Sequence, residues 1–117
     1  MNEYLQTKHI ITDIVVAILV VAGKGTPIHK NRQSHGLALN CGEDKEYTFD
    51  DGTCFTVKCN DIIYLPKYSN YKVSTKSGKK DGKVYCINYQ SLDEKIFAPF
   101  VIHLSNPEEI LKSFQNA

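Results

Sequence analysis

A dense series of short strand-forming segments fills the chain between His35 and Tyr89. β-branched and aromatic residues, which fit a pleated surface, are grouped in short runs. Glycine, proline, asparagine and aspartate separate these runs at intervals that leave no room for a helix. Roughly seven or eight strands with such turns predict a mainly β protein, a sandwich or a small barrel.

Residues 35–40 show the alternation expected of a strand. His35, Leu37 and Leu39 fall on one face, and smaller or polar residues fall on the other. Because the first face carries the apolar pair, we expect His35 to point into the protein interior.

Turn-forming residues set the boundaries of the next predicted strands. Residues 50–52 read Asp-Asp-Gly, which predicts a hairpin because glycine accepts the positive φ of a tight turn. Tyr47 and Phe49 share a face of the strand that leads into this turn. Residues 62–65 are continuously apolar and predict a buried strand, which Pro66 ends because it has no N–H to donate.

Further strands flank this region. Residues 10–22 are rich in valine and isoleucine at both parities, which predicts a strand buried on both faces. Residues 76–83 are charged and rich in glycine, and we expect a solvated hairpin tip there. Residues 84–89 and 97–104 predict two more strands, and Pro99 places the last one at an edge or a bulge.

The pattern changes after this last strand. Asn106 and Pro107 are a good helix start, since asparagine caps helices and proline suits the first helical position. We therefore predict a helix over residues 106–117. A helix this short is marginal alone, so we expect its apolar face to be covered by the barrel or by a second copy of the chain in a homodimer. That apolar face consists of Ile110, Leu111 and Phe114.

Length and charge exclude several classes of protein. A chain of 117 residues suits one domain. Its net charge of +1 gives no electrostatic footprint for nucleic acid. The longest apolar run, residues 14–22, is shorter than the ~20 residues that span a bilayer, and no basic leader or cleavage site accompanies it. We therefore expect a cytoplasmic protein without a membrane partner.

The four cysteines form no Cys-x-x-Cys pair and match no zinc-site spacing. We expect them to serve as small, mostly buried hydrophobic residues rather than as disulfides. They are Cys41, Cys54, Cys59 and Cys86.

An ordered series of motifs resembles the N-terminal, cupin-like sensor domain of AraC-type bacterial transcription regulators. The resemblance spans residues 10–116, and residues 60–71 are its most specific part. The motifs are Arg32-x-x-His35-Gly36-Leu37, Tyr47-x-Phe49-x-x-Gly52, Asn60-Asp61-Ile62-Ile63-Tyr64-Leu65-Pro66-Lys67-x-x-x-Tyr71 and Tyr85-x-Ile87-Asn88-Tyr89.

The resemblance implies a fold and a role. Residues 1–105 would form a double-stranded β-helix (jelly roll) that binds a small-molecule effector in its interior, with a sugar as one candidate. Residues 106–117 would form a helix that leads to a helix-turn-helix DNA-binding domain, and that domain is missing from this sequence. DNA would be contacted only through it, and the sensor domain would also dimerise.

Chemistry of its own is not expected of this domain. Metal-binding cupins use several histidines and a glutamate, whereas the corresponding segment here offers His35 alone. Ser34 is adjacent to His35 on a strand, so the two side chains point to opposite faces and do not form a nucleophile–base pair. We predict no catalytic residues, no metal and no cofactor.

Seven residues are candidates for the effector pocket. For His35 and the tyrosines, packing in the core is the alternative to ligand contact. For Arg32, whose planar fork matches carboxylate or phosphate, a surface ion pair is the alternative. The candidates are Arg32, His35, Tyr47, Phe49, Tyr64, Tyr71 and Tyr85.

Two other functions stay open at this point. A stand-alone cupin could act as a metal-independent isomerase or epimerase, or as a small-molecule carrier, and an acid–base constellation or bound metal would favour it. A purely structural interaction domain would bind no small molecule at all.

Overall fold

The computed structural model describes residues 11–21, 28–75, 83–91 and 96–104, together with Glu108. These residues form nine β-strands in two antiparallel sheets. The strands are β1 (Ile11–Val21), β2 (Ile28–His29), β3 (His35–Asn40), β4 (Lys45–Phe49), β5 (Cys54–Val57), β6 (Asp61–Leu65), β7 (Tyr71–Thr75), β8 (Lys83–Ser91) and β9 (Phe100–His103). The mainly β architecture expected from the sequence is confirmed.

The strands pair in a nested order. A hairpin joins β4 to β5, and β3 pairs with β6, β2 with β7 and β1 with β8, all antiparallel. Successive nested pairs alternate between the two sheets. One sheet therefore has the order β1-β8-β3-β6-β9 and the other the order β2-β7-β4-β5. The chain is in effect a long antiparallel ribbon that is doubled back at the β4–β5 turn and wound into two layers.

The β4–β5 turn forms where the sequence predicted it. Gly52 has a φ of +92°, and its amide donates to the carbonyl of Phe49 at 3.0 Å. Asp51 accepts a hydrogen bond from the backbone N–H of Thr53 at 2.9 Å, and this bond lowers the pKa of the exposed carboxyl. The turn is thus fixed by the one residue type that adopts this φ without strain and by a side chain that caps the next amide.

The layer between the sheets is apolar in its middle. Aromatic residues from the four-stranded sheet pack against small and aliphatic residues from the five-stranded sheet. Burying such side chains completely is the main favourable term in folding a domain of this size. The buried members of this core are Ala38, Tyr47, Phe49, Val57, Ile63, Leu65, Tyr71, Val84 and Cys86.

The face of β3 that meets the other sheet is the opposite of the one predicted. Ala38 belongs to the core between the sheets, and Gly36 and Asn40 share its parity. His35 is buried, as expected, but it lies on the opposite face of β3 and not in the core between the sheets. Both faces of β3 are buried, so the alternation of apolar and polar residues did not identify which face meets the second sheet.

The strands at the two ends of the chain agree with the sequence in part. The strand predicted over residues 10–22 is confirmed by β1. The strand predicted over residues 97–104 is shorter than expected, because extended pairing with β6 starts only after Pro99. The two-residue strand β2 was not predicted.

Two other predictions fall largely on residues outside the described ranges. These are the hairpin tip at residues 76–83, of which only Lys83 is described, and the helix at residues 106–117. Within the latter, Glu108 is the described residue, and its backbone is helical.

The four cysteines are free, and their burial differs from the expectation. Cys86 is buried in the core, as predicted for a small hydrophobic residue. Cys54 and Cys59 are exposed, so the prediction is wrong for these two. Cys54 begins the edge strand β5, and Cys59 lies in the turn between β5 and β6.

Candidate functional site

Arg32 organises one end of the layer between the sheets. It lies in the connection between β2 and β3, and its backbone is bound on both sides to the segment that follows β6. The amide of Arg32 donates to the carbonyl of Ser69 at 3.2 Å, and the amide of Tyr68 donates to the carbonyl of Arg32 at 2.6 Å. The two connecting loops are therefore locked together at this residue.

The guanidinium group of Arg32 is half-buried and bonds only to neutral acceptors. Its Nε donates to the hydroxyl of Tyr71 at 3.2 Å, and Nη1 donates to the carbonyl and hydroxyl oxygens of Ser34 at 2.9 and 3.0 Å. Its Nη2 donates to Oδ1 of Asn88 at 2.6 Å and lies 3.6 Å from Sγ of Cys86. Together these five residues are called the Arg32 cluster.

No carboxylate among the described residues forms an ion pair with Arg32. The alternative role for Arg32, a surface ion pair, is therefore wrong as far as the described residues are concerned. Desolvating a cation without an opposite charge is costly unless hydrogen bonds compensate. The neutral acceptors of the Arg32 cluster supply that compensation, and the positive charge remains unneutralised.

Gly36 provides the space for this guanidinium. A Cβ built at Gly36 would lie 2.5 Å from Nη2 and 2.7 Å from Cζ of Arg32. The inner face of β3 must therefore lack a side chain at this position. The motif Arg32-x-x-His35-Gly36 has a physical reason, since the arginine folds back over the glycine.

The partners of Arg32 stay protonated at neutral pH. Burial raises the pKa of the Tyr71 hydroxyl, and the positive charge and hydrogen bond of Arg32 oppose that rise only in part. Burial likewise raises the pKa of the Cys86 thiol, again with Arg32 opposing. The pKa of Tyr47 nearby is raised mainly by burial. Arg32 therefore contributes the charge of the cluster.

Two loops and the β4–β5 turn close this end of the molecule. The amide of Asn31 donates to Oδ1 of Asn70 at 2.9 Å, and Nδ2 of Asn70 donates to Oδ2 of Asp50 at 3.0 Å. Asn31 and Tyr68 both have positive φ, 49° and 69°. Such backbone is strained for a residue like tyrosine, and strain of this kind is concentrated at functional sites.

Two open grooves lie at the same end. The first groove, of about 610 Å³, runs along β2, the end of β4 and the start of β7, and includes His29, Tyr71 and Lys72. The second groove, of about 440 Å³, lies between the segment after β6 and the segment before β9. Phe49 and Asp50 border both grooves. Volumes of this order suit small organic molecules.

The exposed large hydrophobic residues of the described ranges also lie here. Ile28 is 68% exposed and borders the first groove. Tyr68 and Ile96 are 53% and 45% exposed and border the second groove. Exposed apolar side chains that gather beside grooves mark a binding surface more often than scattered ones do.

His29 joins the first groove to the Arg32 cluster. Its ring stacks on the ring of Tyr71, with centroids 4.8 Å apart and planes inclined by 20°. Partial burial lowers the pKa of His29, and the charge of Arg32 lowers it further. The imidazole is therefore neutral at neutral pH, and the field of Arg32 reaches the groove.

The seven candidate pocket residues are divided between two places. Arg32, Tyr47, Phe49 and Tyr71 lie together in the layer between the sheets. The other three lie on the opposite face of the five-stranded sheet, so the prediction of one shared interior is wrong for them. They are His35, Tyr64 and Tyr85.

His35 occupies a buried aromatic cluster on that opposite face. Its Nδ1 lies 2.9 Å from the hydroxyl of Tyr64, and its ring stacks on that of Tyr89 with centroids 5.2 Å apart. The alternative of a core histidine bonded to a tyrosine is thus confirmed. Phe97 and Phe100 complete the aromatic packing.

Three residues of the site were not predicted from the sequence. His29 was missed because a two-residue strand carries no detectable alternation. Asn70 and Asn88 were not among the candidates, and they bond to Asp50 and to Arg32. The spacing Cys86-x-Asn88 places both side chains on one face of β8, and that alternation was the available signal.

The described residues hold neither a candidate metal site nor a membrane-spanning helix. Among the described residues, no group of three or more histidine, cysteine, aspartate or glutamate side chains could hold a metal ion. In the same ranges, no helix has the length and apolar character needed to cross a membrane. The predicted dimer residues Ile110, Leu111 and Phe114 lie outside the described ranges.

Comparisons with known proteins are informative at the level of structure. No family model and no curated protein matches the chain. Three solved structures are similar to it. Protein NMB1881 from Neisseria meningitidis is 17% identical, with a TM-score of 0.52, and the match covers 67% of this chain and 81% of NMB1881.

The other two structures are longer than the matched region. YhaK from Escherichia coli is 11% identical, with a TM-score of 0.61, over 76% of this chain and 40% of YhaK. ToxT from Vibrio cholerae is 13% identical, with a TM-score of 0.51, over 63% of this chain and 30% of ToxT. At these identities the likeness shows the fold alone.

Proposed function

We propose that this chain is the small-molecule-sensing domain of a transcription regulator of the AraC type, folded as a cupin-like jelly roll. The nested strand pairing supports the fold, because a doubled antiparallel ribbon wound into two sheets is the jelly-roll plan. The ordered sequence motifs and the structural likeness to ToxT, an AraC-family regulator, support the role.

The observation that carries the proposal is the unneutralised charge of Arg32 beside two grooves. Binding sites combine apolar walls with a few fixed polar groups that orient the ligand. The N–H groups of Arg32 are engaged by its partners in the Arg32 cluster, so Arg32 offers a fixed positive charge without a further cost of ordering. The Arg32 end therefore has the features expected of an effector site.

Signal transmission would depend on the loops that meet at Arg32. A ligand that touches both the loop before β3 and the loop after β6 favours the arrangement in which they are locked together. An effector shifts an equilibrium only by its difference in affinity for the two arrangements. The loops at the Arg32 end can provide that difference because a strained residue, Tyr68, lies within them.

DNA would be contacted by a separate domain, since a net charge of +1 gives this chain no strong attraction to phosphates. The sensor domain itself would carry out no chemistry. We also propose a cytoplasmic homodimer that buries the apolar face formed by Ile110, Leu111 and Phe114. Sedimentation would show a mass that falls to the monomer value on dilution, and a monomer at every concentration would contradict the dimer.

A ligand screen tests the sensing role. Thermal unfolding of the chain would be followed in the presence of neutral sugars and organic acids, since a ligand that binds only the folded state raises its stability. We expect at least one compound to stabilise the wild type. The affinity of that compound, measured by calorimetry, should fall severalfold in Arg32→Gln, because the guanidinium acts through its charge and through the loops that it holds in place.

The matched control is Lys58→Gln, at an exposed lysine on a different part of the surface. It should leave the affinity unchanged. Circular dichroism would confirm that Arg32→Gln is folded at the temperature of the titration. The proposal would be contradicted if no compound stabilises the chain. It would also be contradicted if the affinity of the stabilising compound is the same in the wild type and in Arg32→Gln. Conversion of the compound during the titration would instead favour a stand-alone isomerase or epimerase.

A further inference from the structure

The edge strands of the two described sheets differ in length. β2, β5 and β9 lie at three of the edges and contain two, four and four residues. β1 lies at the remaining edge and contains 11 residues. Short edge strands are one of the means by which proteins avoid pairing with other chains. Three edges are therefore protected by their shortness, and β1 is not.

The second half of β1 is also regular. Its register with β8 shifts between Ile11 and Asp13 and again between Ile14 and Val16. Residues 16–21 then pair with β8 without interruption, and these six residues are called the β1 edge. Bulges twist an edge strand away from an incoming chain. They are confined to the first half of β1, so the β1 edge lacks this protection.

The composition of the β1 edge offers no protection either. Its sequence is Val-Ala-Ile-Leu-Val-Val, without a charge, a proline or a glycine. Lysine and proline are the residues that commonly block an edge strand. Asp13 is the charged residue of β1, and it lies outside the β1 edge. A run of six such residues is typical of segments that pair readily with another strand.

The backbone of the β1 edge can accept a further strand. β8 pairs with one side of β1, and no described strand pairs with its other side. In an antiparallel ladder the N–H and C=O groups of alternate residues point to opposite sides of the strand. Half of the backbone groups of the β1 edge therefore point away from β8. Main-chain hydrogen bonds to such groups supply the affinity when a strand is added to a sheet.

We propose that a second copy of this chain pairs antiparallel with the β1 edge, so that the two five-stranded sheets join into one continuous sheet. Two identical strands in antiparallel pairing are related by a two-fold axis, so one edge supplies both halves of a closed interface. A net charge of +1 causes little repulsion between the copies. The inference does not depend on the sensing function. It assigns a homodimer contact to β1 that does not require Ile110, Leu111 or Phe114.

Hydrogen exchange of the wild-type chain tests the proposal without any substitution. Sedimentation would give the dissociation constant of the dimer, and exchange of each amide of residues 16–21 would be followed by mass spectrometry well above and well below that concentration. We expect the amides that point away from β8 to exchange severalfold more slowly at the higher concentration, because only the dimer protects them. The alternate amides, bonded to β8, are the internal control and should change much less.

A charged substitution tests the same contact through the mass of the particle. Leu19→Lys places a positive charge in the β1 edge of both copies, where like charges repel, and should weaken dimerisation severalfold. Residue 19 pairs with Tyr85, which lies on the face of the sheet away from the core between the sheets. The control Thr12→Lys places the same charge in the irregular half of β1 and should leave the dissociation constant within about twofold. Circular dichroism would show whether both variants are folded.

The outcomes separate the β1 contact from the other proposals. If the chain dimerises while the amides of residues 16–21 exchange equally at both concentrations, the dimer uses another surface and the β1 contact is wrong. A folded Leu19→Lys that dimerises as the wild type does would lead to the same conclusion. Protection of all these amides in a monomer would also overturn the inference, since another segment of the same chain would then cover the edge.

A monomer at every concentration would overturn the homodimer and the β1 contact together. The ligand screen would still decide the sensing role, because binding of an effector at the Arg32 end does not require β1. If Leu19→Lys does not fold, the exchange of the wild-type amides decides the β1 contact alone.

Discussion

The two ends of the layer between the sheets are each closed by a basic residue, and the two closures differ. At one end the guanidinium of Arg32 is half-buried beside two open grooves. At the other end Lys45 is only 1% exposed, and its Nζ donates to Oδ1 of Asn40 at 2.6 Å and to the carbonyl of Glu43 at 3.2 Å. Gly36 and Asn40 mark the two ends on the same face of β3.

The Lys45 end is closed by a dense set of hydrogen bonds between buried groups. Nδ2 of Asn40 donates to the carbonyl oxygens of Val57 and Glu43, both at 3.0 Å, so the amide is used on both sides. Buried polar networks that are fully bonded make a structure rigid and specify one packing. At the Arg32 end the bonds are made beside two open grooves and the strained, exposed Tyr68, whereas the positive-φ residue near Lys45 is an asparagine, which tolerates that backbone. We therefore infer that the Lys45 end serves stability and the Arg32 end serves binding.

Removing the Lys45 side chain should have the largest effect on stability. Lys45→Ala removes the charged donor from Oδ1 of Asn40 and from the carbonyl of Glu43 and opens a cavity, so we expect a loss of about 2–4 kcal/mol. Urea unfolding would measure this loss. Lys58→Ala, at an exposed lysine, is the control and should change stability by less than about 0.5 kcal/mol. Equal losses of stability in the two variants would mean that the buried Lys45 contributes no more than an exposed lysine.

The next largest effect should come from the glycine under Arg32. Gly36→Ala would push the guanidinium off its hydrogen-bond partners, at a cost of about 1–3 kcal/mol for the added methyl group. In the background of Arg32→Ala the same change should cost little, because the obstructing group is gone. A double-mutant cycle by urea unfolding would measure this coupling. Additive losses would mean that Gly36 is needed for another reason.

The hydrogen bonds between the two loops at the Arg32 end provide a test with a smaller expected effect on stability. Asn70→Ala removes the side-chain bonds to Asn31 and Asp50, which should cost about 1 kcal/mol. Hydrogen exchange would show faster opening of the Tyr68 amide, which is bonded to Arg32. The Asn60 amide, bonded to Asn40 near the Lys45 end, is the internal control and should be unaffected. Acceleration at both amides would indicate a global loss instead.

Much of the fold could be predicted from the sequence, because period-two alternation and turn residues are local signals. The β4–β5 hairpin and strands β3, β6 and β8 were predicted on that basis. The face of β3 could not be predicted, since Gly36 and Ala38 look unsuited to a core until the large rings of the opposite sheet are placed against them. Small residues on one layer leave room for aromatic residues on the other.

The site was predicted less completely for the same reason. Arg32, Tyr47, Phe49 and Tyr71 were candidates by residue type, and the winding of the ribbon brings them together. His29 and Asn70 belong to segments with no periodic pattern, and only tertiary contacts place them beside Tyr71. Long-range pairing of this kind is not encoded in any short window of residues.

The smallest expected effect concerns the protonation of His29. Its pKa is lowered in the folded protein, first by burial and then by Arg32. The unfolded chain therefore binds a proton more readily, and the contribution of His29 to stability is complete above its ordinary pKa and is lost as the pH falls through the lowered value. Proton NMR titration of the imidazole should show the lowered pKa.

The variant Arg32→Gln should raise that pKa part of the way to its ordinary value, because burial remains. Lys58→Gln should leave it unchanged. In urea unfolding, His29→Gln should lose less stability than the wild type between about pH 7 and about pH 5. If the pKa of His29 is the same in the wild type and in Arg32→Gln, the charge of Arg32 does not act on the first groove.

The most direct test of the account is an NMR titration of the isotope-labelled chain with whichever compound stabilises it in the thermal screen. We predict that amide shifts concentrate in residues 30–34, 48–50 and 66–72, and that the amides around Lys45 do not move. Shifts that concentrate around Lys45 or Asn40, or that spread evenly over both ends, would contradict the assignment of binding to the Arg32 end.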